Sequence, residues 1–552
     1  MDNMEETEIV QDKTTNVISN VTPYPETTKG LGYEFFMAMT RNKDRVAQYI
    51  AETGYEDSYE SFLQRATRTA LHLKERNFTP EDVVCLSSYN QVHCAVPFIA
   101  CLFLGVPVSS LDPSFTEPDA LHAINLVKPK IFFIVPEILD TIQKSIKTLG
   151  LEAEIVVYGD HEDPTGAVKS FNDFLEPHPE EDAFAPVEID DVNRTAVIFF
   201  SSGTTGLPKG ICSSHKAIFH QGCLMHFLGH LIKNSVICLY STLYWISAVL
   251  YLTSSILHGS ARVLSRTFDP EALWLNIDKY KVTNLFLAPI QAYGMIDAGR
   301  PENTLTSSLH LTLTGGMQFS LEKLYSLRDL LPGTFVFQIY GCTEISGIGM
   351  SFNLNRSKDR LLLNYRPKSV GRPVPGLRYK VVDLESGANV GPNEHGELRI
   401  DPEFTTRGYY RQDSSSAFDS DGWMRTGDIV YYDEDYCFYI VDRIKEMLKY
   451  RSWHVPPALL EGVLQNHPGV SQCVVIGIPD ELDGDLPCAI IVLNEDYRGK
   501  VTEEEIEEFV AKRVNDTHKL RGGVKFIEAL PLTPSGKVKK KKIRDMVLNG
   551  EI

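Results

Sequence analysis

The chain has 552 residues, a formal net charge of −19 and 43% hydrophobic residues. That length accommodates several compact units of about 150 residues each, and the acidic balance excludes a broad nucleic-acid-binding surface. The ten cysteines form no Cys-x-x-Cys pair, which points away from a zinc site or a disulfide framework and fits a reducing compartment.

Met1 to Lys29 is polar and acidic, without the apolar run of a signal peptide, so residues 1–30 are expected to be a mobile tail. Glu60 to Arg76 carries apolar residues at helical spacing (Phe62, Ala66, Ala70, Leu73), and Val83 to Leu86 reads as a strand. Ala120 to Val127 predicts a helix and Ile131 to Val135 a strand. Val83–Leu111 and Ser235–Ala261 contain no charged residue, and length alone would admit a membrane span. Their internal Asn, His, Pro, Gly, Ser and Thr instead suggest buried strand–helix units, with no integral membrane span expected.

The alternation resumes with strand Val197–Phe200, helix Leu273–Tyr280, and strands Asn284–Leu287 and Leu309–Leu313. Helix Leu321–Leu331 and strand Phe335–Tyr340 follow. Such alternation predicts βα units around largely parallel sheets. From Val370 to Tyr439 short strands and turns predict antiparallel β. Beyond Asp442 a smaller α+β unit is expected. It comprises helix Ala458–Asn466, strands Val470–Ile476 and Ala489–Leu493, helix Glu503–Asn515 and a basic end. The lysines after Lys537 are read as a solvated face that could attract phosphates diffusely.

The most informative stretch is Ser201 to Gly210, SSGTTGLPKG, directly after the apolar Val197–Phe200. Glycines permit close backbone approach, so N–H groups and the hydroxyls of Ser201, Ser202, Thr204 and Thr205 can surround phosphate oxygens. Gly203 and Gly206 supply the turns, and Lys209 adds positive charge. The spacing is not that of the usual GxxxxGK[ST] loop.

With this loop, four further motifs resemble those of the adenylate-forming superfamily: acyl- and aryl-CoA synthetases, peptide-synthetase adenylation domains and beetle luciferases. They are Tyr340-Gly-Cys-Thr-Glu344, Thr426-Gly-Asp428, Asp442-Arg-Ile-Lys445 and Pro534-Ser-Gly-Lys537, in the family's order. The resemblance runs from about residue 35 to the end. Leu520-Arg-Gly-Gly523 and the overall length look like the insect luciferase-like and 4-coumarate–CoA-ligase-like branch. It implies an α/β large domain over 31–441 of βα-layered sheets plus an antiparallel β subdomain. A small mobile α+β domain over 443–552 would follow, hinged at Asp442.

The implied activity is ATP-dependent joining of a carboxylic acid, fatty or aryl, to coenzyme A through an acyl-adenylate. A luciferase-type oxygenase acting on an adenylate and a non-catalytic nucleotide-binding regulator are the alternatives. Carboxylate attack on the α-phosphorus brings anion to anion, so charge must be neutralised. Lys209, Thr205 and Lys537 suit that role, and Glu344 is the candidate ligand for Mg²⁺, which prefers carboxylate oxygen.

By resemblance Asp428 receives the ribose hydroxyls, the Tyr340 ring lies against adenine, and Arg443 reaches ribose or phosphate. Gly315 and Gly316 allow backbone approach to adenine and acyl group, and Gly341 and Thr343 complete the nucleotide set. Lys445, Lys449 and Ser452 belong to the face expected to line the pantetheine channel. The acid pocket is expected around Trp245, Gly315, Gly316, Met317, Gly341, Ser346 and Gly347.

Three departures stand out. Ser452 stands where the family commonly has glycine; its added Cβ either crowds the channel or is accommodated by the loop, the second being the expectation. Leu243-Tyr-Trp245 replaces the paired histidines and glycines of luciferases, with Trp245 suited to an aromatic gate, and Phe219 to His230 lacks the luciferin-site arginine. Met317 follows Gly315-Gly316 where a small residue is usual. The expected partners are the acid, ATP and CoA, without nucleic acid, the chain being a monomer or homodimer. The terminal Gly550-Glu551-Ile552 is not a Ser-Lys-Leu address, so a cytoplasmic site is expected, with peroxisomal import by another route left open.

Overall fold

The computed structural model describes residues 9–22, 24, 26–161, 163–200, 208–302, 304–317, 319–401, 406, 408–451, 453–532 and 538–552. Two seven-stranded sheets form the body of the large domain. The first runs Gly210–Ser214, Thr195–Phe200, Val108–Ser110, Val84–Ser87, Ile131–Ile134, Glu154–Val157, Val168–Ser170. It is parallel except for its first pair. The second runs Phe335–Gln338, Leu311–Thr314, Asn284–Leu287, Val236–Leu239, Ala261–Leu264, Val46–Ile50, Tyr55–Ser58. Only its last pair is antiparallel.

The apolar composition of these strands follows from burial on both faces, as parallel sheets covered by helices require. Helix Tyr59–Glu75 shows the local logic. Ser58 Oγ accepts from Ser61 N to cap its start, and the predicted stripe Phe62, Ala66, Ala70 and Leu73 is buried.

The two uncharged stretches resolve into short elements. The first holds helix Val96–Leu104 between strands Val84–Ser87 and Val108–Ser110, and the second holds helix Ile246–His258 between Val236–Leu239 and Ala261–Leu264. Among the described residues no helix is long and apolar enough to cross a membrane.

A six-stranded antiparallel sheet occupies the predicted β region. Its order is Ile9–Gln11, Ile18–Asn20, Arg378–Val382, Gly396–Ile400, Met424–Tyr432, Phe438–Arg443. The expectation of a mobile tail is therefore corrected from Ile9 onward. Ile18 pairs with Tyr379, Asn20 Nδ2 donates to Pro373 O at 2.9 Å, and Gln11 Nε2 donates to Tyr432 Oη at 2.8 Å. A polar segment is ordered here because a sheet edge supplies backbone partners that composition does not reveal.

After Arg443 the chain builds a separate five-stranded sheet in the order Trp453–Val455, Leu448–Tyr450, Gly484–Leu493, Val470–Asp480, with Val524–Phe526 parallel to Gly484–Leu493. Helices Pro457–Leu464, Glu503–Ala511 and Lys540–Leu548 accompany it. The lysine-rich end is not wholly a solvated face. Lys540 Nζ lies 2.9 Å from Glu446 Oε2 and 3.0 Å from Glu461 Oε1, with a quarter of its side chain exposed. Burial opposes its charge, but the two carboxylates outweigh burial and hold the ammonium's pKa above its ordinary value.

Candidate active site

The predicted strand Phe335–Tyr340 divides. Phe335–Gln338 stays in the parallel sheet, Ile339 N still donates to Thr314 O at 2.9 Å, and Tyr340–Cys342 crosses to a three-stranded antiparallel sheet with Gly347–Ser351 and Arg372–Pro373. The turn between its first two strands is Thr343–Ile345, closed by Ser346 N donating to Thr343 O at 2.9 Å. Ser346 is left-handed, at φ 60°. Gly341 and Gly347 lie against each other: a Cβ on Gly341 would fall 2.2 Å from Gly347 O, so a side chain there would force the two strands apart. Thr406 N donates to Glu344 O at 2.5 Å, which fixes the turn from the outside.

Asp428 lies in strand Met424–Tyr432 directly opposite Arg443 of the neighbouring strand. Arg443 Nε is 3.1 Å from Asp428 Oδ1, and Tyr340 Oη donates to Asp428 Oδ2 at 2.6 Å. Three residues from three separate motifs thus meet at one carboxylate. Burial first, then the Asp428 charge, raises the Tyr340 hydroxyl well above the ordinary tyrosine value, so it remains a donor. The Cys342 thiol is likewise raised by burial and by Glu344 and Asp428, which keeps it neutral.

Gly315 and Gly316 follow strand Leu311–Thr314. Gly315 packs on Ile339, with 3.2 Å to its Cγ1 from an added Cβ. Gly316 is at φ +88° and, among the described residues, has nothing within 4 Å on its Cβ side, a backbone that leaves room for a flat ligand. Met317 is 42% exposed. Trp245 precedes helix Ile246–His258, partly buried, with its ring edge-on to Tyr244 at 4.7 Å.

Ser201, Ser202, Gly203, Thr204, Thr205, Gly206, Ser452 and Lys537 lie outside the described residues. Lys209 is described: its Nζ is 4.1 Å from the Tyr409 ring centroid, and Tyr410 N donates to Gly210 O at 2.7 Å. Lys445 and Lys449 are exposed in the smaller unit. Among the described residues neither ammonium is ion-paired to the Tyr340–Gly347 segment, although Lys449 N donates to Asp485 Oδ2 at 3.1 Å. The structure therefore joins Tyr340, Asp428 and Arg443 through side-chain contacts.

At the expected hinge, Asp442 is buried. Its Oδ1 accepts from Arg443 N at 2.7 Å, and its Oδ2 accepts at 3.1 Å from Ala458 N, in the first turn of helix Pro457–Leu464. Burial raises its pKa to about 6, against the lowering effect of these two hydrogen bonds.

Sequence reasoning missed Gln221, Thr406 and Tyr409. None carries a motif signal, and each acts by reaching a distant backbone or ring. Gln221 Nε2 donates to Ile348 O at 3.0 Å, and its Oε1 accepts from Ile348 N at 2.8 Å.

With this geometry in place, comparison with known proteins is decisive. The AMP-binding enzyme model matches residues 35–410, and the AMP-binding enzyme C-terminal domain model matches residues 459–537. The chain belongs to the AMP-binding enzyme family. This is the adenylate-forming superfamily that the motifs resemble.

Luciferin 4-monooxygenase of Photuris pensylvanica is 31% identical, over 96% of this chain and 98% of that protein. Peroxisomal OPC-8:0-CoA ligase 1 of Arabidopsis thaliana is 28% identical, over 95% of this chain and 94% of that protein. Among solved structures, the luciferase-like enzyme from the nonluminescent Zophobas morio mealworm is 36% identical, with a TM-score of 0.74, over 78% of this chain and 99% of that one. The anthranilate CoA ligase AuaEII, solved with anthranoyl-AMP, shares the fold at a TM-score of 0.82 and 22% identity, over 95% of this chain and 99% of that one. The large α/β domain with a smaller C-terminal unit is thus the family's fold.

Proposed function

We propose that this family member is an ATP-dependent carboxylic acid–CoA ligase acting on a fatty or aryl acid. In the first half-reaction an acid oxygen attacks the α-phosphorus of ATP, an acyl-adenylate forms and pyrophosphate leaves. In the second, the CoA thiol attacks the acyl carbonyl, the thioester forms and AMP leaves.

The observation that carries this reading is the meeting of Tyr340, Arg443 and Asp428 beside the Glu344 turn. A buried carboxylate beside the Tyr340 hydroxyl suits a ribose, and the side of Gly316 open among the described residues suits the adenine. Glu344 would hold Mg²⁺, which supplies charge neutralisation at the phosphates. Lys209 and Lys537 would add positive charge, and the backbone of the Ser201–Gly206 loop would cradle the β- and γ-phosphates. Lys445, Lys449 and Ser452 would meet CoA after rotation of the small domain about Asp442.

Acid-dependent exchange of labelled pyrophosphate into ATP, over acids of graded length, tests the first half-reaction. Thioester formation on adding CoA tests the second. Exchange with no acid in the series would sink the proposal.

A second reading is a luciferase-type oxygenase, because a luciferin 4-monooxygenase is 31% identical over nearly the full length. Gln221, hydrogen-bonded into the turn, and Trp245 occupy the two segments that depart from luciferases, and this favours the ligase. Light emission with luciferin, ATP and oxygen at rates comparable to thioester formation would reverse that preference.

A further inference from the structure

Gln221 lies on helix His215–Phe227, 1% exposed, and its amide is turned onto the backbone after Glu344. Its Oε1 accepts from Ile348 N at 2.8 Å, and its Nε2 donates to Ile348 O at 3.0 Å and to Ile345 O at 3.5 Å. A primary amide has two donor hydrogens and one carbonyl acceptor, and all are directed at this one turn. The packing is equally specific. A Cβ on Gly347 would fall 2.5 Å from Gln221 Oε1, while on the other strand a Cβ on Gly341 would fall 2.2 Å from Gly347 O. Gly347 is therefore held between the Gln221 amide and the Gly341 backbone. The left-handed Ser346 between them is pinned separately, its Oγ donating to Ser213 Oγ at 3.0 Å.

We infer that Gln221 is a positioning residue that clamps the 345–348 turn and so sets the acid-facing wall of the site, independently of nucleotide binding. The independence follows from separate anchors. Glu344 O accepts from Thr406 N, and Asp428 is held by Tyr340 and Arg443, so these anchors persist without the Gln221 amide although Ile348 pairs with Gly341 of the Tyr340 strand. Loosening the clamp moves Ser346 and Gly347 foremost, while the Tyr340–Asp428–Arg443 contacts keep their own partners. A buried amide without its partners is costly, so an apolar replacement also leaves the Ile348 N–H and the Ile345 and Ile348 carbonyls to find others.

The kinetic half of this inference rests on the acid-activation reading, so the test has a second readout that does not. Gln221→Leu keeps bulk and removes all three hydrogen bonds. In pyrophosphate exchange it raises the acid KM about tenfold while the ATP KM shifts less than about threefold. In amide hydrogen exchange followed by mass spectrometry, the peptide spanning 345–348 exchanges at least about tenfold faster than in the wild type. Gln221→Glu supplies a pH signature. Its buried carboxylate would face two carbonyls, so its pKa is raised, and only the protonated form resembles the amide as a donor. Its acid KM relative to wild type therefore recovers as pH falls from about 8 to about 6.

Equal rises in both KM values, a changed ATP KM alone, or parallel pH profiles for Gln221→Glu and wild type would overturn the inference. If the wild type exchanges no pyrophosphate with any acid, the ligase reading fails. The amide exchange then decides the clamp alone, and an unchanged rate at 345–348 overturns it.

Discussion

Asp428→Ala is the perturbation whose size the structure best defines. The wild-type carboxylate is 5% exposed, receives the Tyr340 hydroxyl at 2.6 Å and faces Arg443 Nε at 3.1 Å. Removing it deletes the proposed ribose acceptor and leaves the Tyr340 hydroxyl buried beside the gap. A hydrogen bond to a charged group contributes about 1.5–3 kcal/mol, which at about 1.4 kcal/mol per decade is roughly 10- to 150-fold in affinity. The dissociation constant for ATP, measured by calorimetry, should rise within that range. The loss should appear in both half-reactions, because the ribose stays bound throughout.

A control separates ribose binding from collapse of the site. Wild type should discriminate ATP from 2′-deoxy-ATP, and Asp428→Ala should not, because the acceptor that reads the hydroxyl is gone. Tyr340→Phe should give a smaller loss, and the double variant should cost less than the two singles added, since both act through one contact. Unchanged ATP affinity in Asp428→Ala, or undiminished discrimination against the deoxynucleotide, would refute the reasoning.

Lys537→Ala should lower adenylate formation on the order of 10²-fold or more while leaving thioester formation from supplied adenylate nearly intact, because in the proposed role its charge serves only the first transition state; equal loss in both steps removes the assignment. Ser452→Gly should leave pyrophosphate exchange unchanged, and faster thioester formation in single-turnover assays would show that the serine crowds the pantetheine path. Burial lowers the pKa of His93, His215, His220, His230 and His258 to about 4 from 6.5. Their contribution to stability is therefore complete above pH 6.5 and is lost as pH falls toward 4, at about 1.4 kcal/mol per histidine for each pKa unit of depression. Urea midpoints that stay level from pH 7 to pH 4.5 would contradict this. Asp442, raised by burial to about 6 from 3.8, carries the opposite sign: its contribution is greatest below pH 3.8 and is lost as pH rises through 6. Asp442→Asn should therefore remove a stability change confined to the interval between those values, measured against wild type.

The sequence by itself determined most of the strands and the family, and it proposed the candidate site residues. Apolar runs such as Val84–Ser87 and Ile131–Ile134 specify buried parallel strands, because only a strand covered on both faces can be apolar throughout. Motif residues such as Asp428 and Glu344 could be proposed as site residues because their motifs are short and local.

What only the tertiary structure decided depends on long-range partners. The split of Phe335–Tyr340 at Ile339 is invisible in composition, because both halves are apolar and only their partner strands differ. The N-terminal strands are polar and become ordered by pairing with Arg378–Val382, some 360 residues on. Gln221 carries no signal in the sequence, and its role emerges only when the fold brings Ile345 and Ile348 against it. Lys540 looks like a solvated lysine until Glu446 and Glu461 converge on it. In each case the deciding interaction is a contact between segments distant in the chain, and such a contact leaves no periodicity, spacing or composition for a single sequence to show.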